Sequence, residues 1–136
     1  MKKYLKEFEK LVDIMAKLRS KNGGCMWDRE QTHESLVKYL IEESKEVKKA
    51  VEKKDIKNLE EELGDVLLQI VFHAQIGKED KEFDIAGVIG TLNKKLIRRH
   101  PHVFGNYKVR NTKDIEVMWK EVKAKEKADK TKKRNI

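Results

Sequence analysis

The chain has 136 residues, 41% of them charged and 38% hydrophobic, with one proline, seven glycines and a formal net charge of +8. That length holds one core more readily than two, and the scarcity of breakers, with no alternating Val/Ile/Thr-rich run, excludes a β protein. From Lys123 onward seven Lys/Arg stand against two Asp/Glu, so +5 of the +8 sits at the C-terminal end; this reads as a Lys-rich helix end or disordered tail rather than a nucleic-acid face, and nucleic acid is not the expected partner.

The first expected helix carries Leu5, Phe8, Leu11, Val12, Met15 and Leu18 at three- and four-residue steps and stops near Arg19. Ser20 to Thr32, with Asn22-Gly23-Gly24 and Met26-Trp27, reads as a long ordered loop; its tryptophan, like Trp119, could stack a base but is placed in the core. The single Cys25 allows no intrachain disulfide.

A second helix opens at Thr32 to Glu34, turns Leu36, Tyr39, Leu40, Val47, Ala50 and Val51 inward, and ends at Lys53-Lys54. Asp55 caps a third, expected to run to about Ile76 before Gly77. Its segment Val66 to Phe72 is apolar almost all round, which places it at the centre of a bundle or between two protomers. Within that helix His73 reads as a core histidine, and Gly64 suggests a close approach, since glycine costs about 1 kcal/mol there relative to alanine.

Asp84 caps a fourth helix with Ile85, Val88, Ile89, Leu92 and Leu96, which ends at Arg98-Arg99-His100-Pro101. A loop through Phe104-Gly105-Asn106 leads to a last helix opened by Thr112, with Ile115, Met118, Trp119 and Val122 on one face. The expectation is an all-α, four- to five-helix domain over residues 1–122 and a tail over 123–136. The N-terminus has no apolar signal core and no stretch approaches the roughly 18 apolar residues of a membrane span, so a cytoplasmic, reducing location is expected.

Two acidic pairs lie at i, i+3 on consecutive helices, Glu43 with Glu46 and Glu62 with Asp65. Residues three apart share a helix face, and a short turn near Lys53 to Asp55 would set the two helices antiparallel, so that the pairs face each other. Four converging carboxylates repel and raise one another's pKa values unless a cation joins them. An all-carboxylate cage suits Mg²⁺, with Mn²⁺ as a substitute, rather than Zn²⁺. A solvated face pairing with lysines would use the same residues, but Asp65 stands at the mouth of the most apolar run in the chain. A di-iron site would need two Glu-x-x-His pairs and finds only Glu30 to His33; no Gly-x-x-x-x-Gly-Lys loop occurs.

Four ordered blocks complete the pattern: Gly24-Cys25-Met26-Trp27-Asp28-Arg29-Glu30-Gln31-Thr32-His33; Tyr39 to Glu46; Glu61-Glu62-Leu63-Gly64-Asp65 on to Ala74; and Lys95-Leu96-Ile97-Arg98-Arg99-His100-Pro101-His102-Val103-Phe104-Gly105. With these the chain resembles the MazG nucleoside triphosphate pyrophosphohydrolases of the all-α NTP pyrophosphatase superfamily over roughly Leu11 to Lys123. Met26 departs from the family's Gly-Cys-Pro-Trp.

The family's metal motif falls on Glu43, Glu46, Glu62 and Asp65, the residues already reached through helix geometry. The resemblance implies Mg²⁺-dependent hydrolysis of (d)NTP to (d)NMP and pyrophosphate, by metal-activated water attack at the α-phosphorus. It further implies that Lys95, Arg98 and Arg99, with Trp119 and Lys123, meet the nucleotide. Glu42 and Glu61, beside the ligands, are candidates to touch substrate or the activating water. Many members carry two such domains in tandem, so a single domain is expected to pair with a copy of itself as a homodimer or homotetramer. Narrower readings in the superfamily are a dUTP/dCTP or phosphoribosyl-ATP pyrophosphohydrolase; outside it stands a non-enzymatic basic helical module that binds nucleic acid or a partner through the tail.

Overall fold

A computed structural model describes residues 1–134. Among them are seven α-helices and no strand: α1 (Lys3–Leu18), α2 (Met26–Glu30), α3 (His33–Glu52), α4 (Ile56–Glu79), α5 (Ile85–Arg99), α6 (Pro101–Phe104) and α7 (Thr112–Arg134). The all-α class is as expected, and the five long helices fall where the periodicity places them. The stretches read as loops each hold one short helix more, α2 and α6.

The chain divides into two compact units, residues 1–88 and the part from Ile89 onward. In the first, α4 packs against α3 and α1. Met15, Leu36, Val71, Phe72 and Ile76 form its buried centre, with Phe8, Leu11, Leu18, Tyr39, Leu68 and Ile85 around them. Truncating Phe72 there would cost about 3–5 kcal/mol. One inward assignment needs correction: Val51 is exposed, because α3 reaches its last turn at that point. Within the apolar run of α4, Leu67 and Ile70 face outward while Val71 and Phe72 face in.

Local chemistry accounts for the helix ends. Thr32 Oγ1 accepts from the Ser35 N–H at 3.1 Å and Ser35 Oγ accepts from the Thr32 N–H at 2.9 Å, a reciprocal cap that starts α3. Asp55 Oδ1 caps α4 through Asn58 N–H, and Asp84 Oδ1 caps α5 through Gly87 N–H. In α7 the capping oxygen is Oδ1 of Asn111, accepting from Asp114 N–H just ahead of Thr112.

The C-termini of α3 and α4 close alike. Lys54 (φ 55°) and Lys81 (φ 58°) take the left-handed position usually given to glycine, while Asp55 N–H donates to Ala50 and Glu82 N–H to Gly77. The expected stop of α4 before Gly77 is therefore corrected: the helix continues to Glu79. Gly77 serves packing instead, because a Cβ there would lie 2.7 Å from the Phe83 ring. At Gly64 the converse holds. An added Cβ would meet nothing within 4 Å, so the close approach expected there is absent among the described residues.

In the second unit α7 continues as helix through residues 123–134, and residues 135–136 of the expected tail lie outside the described residues. None of the described helices is long and apolar enough to cross a membrane.

Candidate metal centre

The three-residue turn at Lys53 to Asp55 folds α4 back along α3. Contacts at both ends fix the antiparallel register: His33 meets His73, and Glu43 meets Glu62 and Asp65. One carboxylate oxygen from each of Glu43, Glu62 and Asp65 lies within 4.8 Å of the other two. All three are half-buried.

Crowding of like charge sets their acidity. Partial burial, then the charges of Asp65 and Glu62, raise the Glu43 carboxyl above the ordinary carboxylate range. The hydrogen bond between Glu43 and Glu62 favours a proton on Glu43 and a charge on Glu62. Glu62 is itself raised, by lost hydration and by Asp65, Glu46 and Glu61. Three hard oxygen donors that resist ionising together fit a hard divalent cation, whose charge would remove the conflict.

The fourth expected ligand, Glu46, does not converge with the other three. Its carboxylate lies 3.2 Å from Lys49 Nζ on the same helix, while its charge still acts on Glu43 and Glu62. Glu42 and Glu61 are exposed beside the cluster.

The expected nucleotide contacts lie in the second unit, where sequence reasoning missed an essential neighbour. Glu126 of α7 takes Arg98 Nη2 at 3.1 Å on one oxygen and Arg99 Nε at 3.1 Å on the other. Its partial burial would raise its pKa, but the hydrogen bonds from Arg99 and Arg98 outweigh that and hold it below the usual range. A signal existed: Trp119, Val122 and Glu126 stand at i, i+3 and i+7, which puts this acid on the apolar stripe of the helix.

Trp119 Nε1 donates to the Arg99 carbonyl at 2.8 Å, and His100 Nδ1 donates to that of Leu96 at 2.6 Å, so both tie down the C-terminus of α5. Lys95, one turn before Arg99, is half-buried, and Lys123 is exposed.

Two further placements correct or extend the sequence reading. Trp27 is not in the core. It sits on α2, 49% exposed, edge to ring with Tyr39 of α3 at 5.8 Å between centroids. His73, half-buried, is paired across the helices, its Nδ1 2.8 Å from Nδ1 of His33.

The described residues form an all-helical fold in which acidic side chains from two antiparallel helices gather at one point. Comparison with known proteins makes this specific. The family model described as "MazG nucleotide pyrophosphohydrolase domain" matches residues 31–104, and the chain belongs to that family. The matched segment contains all four acidic candidates and Lys95 to Arg99, but neither Trp27 nor the residues of α7.

Over 123 residues the chain is 57% identical to the nucleoside triphosphate pyrophosphohydrolase/pyrophosphatase MazG of Thermotoga maritima, covering 90% of this chain and 46% of that protein. It is 38% identical to the nucleoside triphosphate pyrophosphohydrolase of Escherichia coli K12, covering 93% and 48%. Thus the chain spans about half the length of these relatives. A crystal structure of a mazG-related protein from Thermotoga maritima superposes with a TM-score of 0.70 at 33% identity, over 85% of this chain and 98% of that one.

Proposed function

We propose that the protein is a Mg²⁺-dependent nucleoside triphosphate pyrophosphohydrolase that cleaves (d)NTP to (d)NMP and pyrophosphate. The observation that carries this is the convergence of Glu43, Glu62 and Asp65, in a chain whose relatives are named for that reaction. These three carboxylates would hold the ion, with Glu46 one turn along α3 and within electrostatic reach. The bound cation supplies charge neutralisation at the phosphate oxygens and acidifies a water.

The chain's own residues do the rest. The crowding that raises Glu43 and Glu62 without a cation would be relieved once the ion is held, leaving both carboxylates as charged ligands. Arg98 and Arg99 carry forked donors suited to phosphate oxygens, and they are available once Glu126 yields them. Assembly as a homodimer belongs to the same reading, because Leu63, Leu67 and Ile70 form an outward apolar stripe at i, i+4 and i+7 of α4.

The test is product analysis. Purified protein with Mg²⁺ and a panel of NTPs and dNTPs is expected to release monophosphate and pyrophosphate, with activity lost in excess EDTA and restored by Mg²⁺ or Mn²⁺. Diphosphate with orthophosphate as products, or full activity in EDTA, would sink the proposal.

A further inference from the structure

Trp27 is unusual in being both firmly placed and uncovered. Large aromatic side chains are normally buried over most of their area, yet here the indole is 49% exposed and its neighbour Met26 is 71% exposed. The backbone beneath them is held tightly. Arg19, its side chain only 9% exposed, donates through Nη1 to the carbonyls of Asp28 at 2.7 Å and Gln31 at 2.9 Å. Its Nε and Nη2 grip Glu79 of α4 at 3.0 and 2.7 Å. Gln31 Nε2 closes the segment by donating to the Trp27 carbonyl at 2.9 Å. A helix of five residues cannot sustain itself through its own hydrogen bonds, so these ties present the indole at a fixed position.

That position lies beside α3, the helix that carries Glu43. Trp27 meets Tyr39 at 5.8 Å between ring centroids, and Tyr39 precedes Glu43 by four residues, one helical turn or about 6 Å of rise on the same face. The indole therefore packs one helical turn before Glu43 on α3. We propose that Trp27 is the stacking platform for the nucleobase of the nucleotide whose phosphates the carboxylate centre holds, an inference that rests on the proposed activity. Its chemistry is that of an aromatic face, which accepts any base and favours the larger ring system. Purine over pyrimidine is the expected preference, without hydrogen-bonded readout of the base edge. Pre-fixing the platform lowers the ordering cost of binding.

The test is equilibrium binding, in the presence of Mg²⁺, of a nucleotide blocked at the α–β bridge (α,β-methylene-ATP) and of inorganic tripolyphosphate, which has no base. Trp27→Ala is expected to weaken the nucleotide analogue by about tenfold or more and to leave tripolyphosphate unchanged. Trp27→Phe should retain most of the affinity, and the purine preference should collapse in the alanine variant.

Equal loss for both ligands would make Trp27 a loop-folding residue and overturn the inference, as would unchanged nucleotide affinity. Conversion of a dimer to monomers by Trp27→Ala would assign the surface to a second copy of the chain and overturn it too. A wild type that binds the analogue but releases no pyrophosphate from ATP would remove the proposed activity and leave the platform standing, whereas one that binds no nucleotide would remove both.

Discussion

At Asp65 the metal-cage and solvated-face accounts predict different experiments. Asp65→Asn keeps the side chain's shape while deleting the charge that raises both Glu43 and Glu62, so turnover should fall by orders of magnitude with the fold intact; an acid that merely solvates a helix would cost under about 0.5 kcal/mol and no activity. Stability gives the sign. A carboxyl whose folded pKa lies above its unfolded value binds more protons when folded, so the metal-free protein loses stability as pH rises through the carboxylate range. The variant should lose less and melt, without metal, at the wild-type temperature or above it, and Mg²⁺ should stabilise the wild type far more than the variant. Thermal melts with and without Mg²⁺ decide the matter. Glu126 provides a second residue-scale test, since its carboxylate occupies the two guanidinium groups that substrate phosphates would need. A pair near the surface is worth about 0.2–1 kcal/mol, and taking that scale for this partly buried one, Glu126→Gln should lower KM for NTP about two- to fivefold; a raised KM would instead make Glu126 the residue that aims the arginines. Spacing made the gathering of Glu43, Glu62 and Asp65 legible because i, i+3 pairs on neighbouring helices share a face, but it did not foresee that Glu46 would turn to Lys49 instead. Glu126 escaped notice because its Lys-rich surroundings were read by composition instead of by period.

The α3–α4 pair positions the cage, and its far end is pinned by histidines. With the Nδ1 atoms of His33 and His73 2.8 Å apart, one ring donates and the other accepts, an arrangement a doubly protonated pair cannot keep. Burial and the neighbouring His33 hold the His73 pKa below its ordinary 6.5. The unfolded chain therefore takes up a proton first as pH falls, so stability present above about pH 6.5 is lost on acidification toward the lower folded value. His73→Asn retains a hydrogen-bonding group without titrating, and its melting temperature should fall less than that of the wild type between pH 7 and 5.5; parallel curves would show that the pair carries no such linkage. Other features of the elements were hidden for physical reasons. Helices α2 and α6 have five and four residues, too few for a 3.6-residue period to show. Glycine serves both as a helix stop and as a point of close packing, and the sequence does not say which: Gly77 is packing inside α4, with the stop at Lys81, and Gly64 is neither. Since nothing lies within 4 Å of a Cβ at Gly64, Gly64→Ala should stabilise the chain by about 0.5–1 kcal/mol in urea unfolding. A loss instead would reveal a neighbour that this single chain does not contain.

At the scale of the molecule, class and family were legible because helical periodicity and four ordered motif blocks are properties of the whole chain, while His33 meeting His73 is forty residues from local. Assembly joins the two kinds of information. The run Val66 to Phe72 has apolar residues on every side, and one chain buries only part of it: Val71 and Phe72 enter the core, whereas Leu67 and Ile70 remain 37% and 40% exposed, as does Leu63 one turn earlier at 51%. Helix α3 adds Val37 and Ile41, also four apart and about half exposed. Soluble monomers seldom leave such contiguous stripes to water, and in an isologous contact a stripe on one protomer packs against its own copy, so each exposed leucine is used twice. The expected state is a dimer or dimer-based oligomer at micromolar concentration. Leu67→Glu places two carboxylates on the symmetric contact, or four in a pair of dimers, and should shift the mass measured by light scattering to that of a monomer. Its helix content should be unchanged, because in the single chain the side chain already faces solvent. A wild type monomeric across the micromolar range, or a Leu67→Glu variant that stays dimeric, would move the interface elsewhere. If the variant is monomeric and keeps full pyrophosphate release, turnover needs only one chain. If activity falls with the dimer while Mg²⁺ still raises the melting temperature, metal binding needs one chain and turnover needs two.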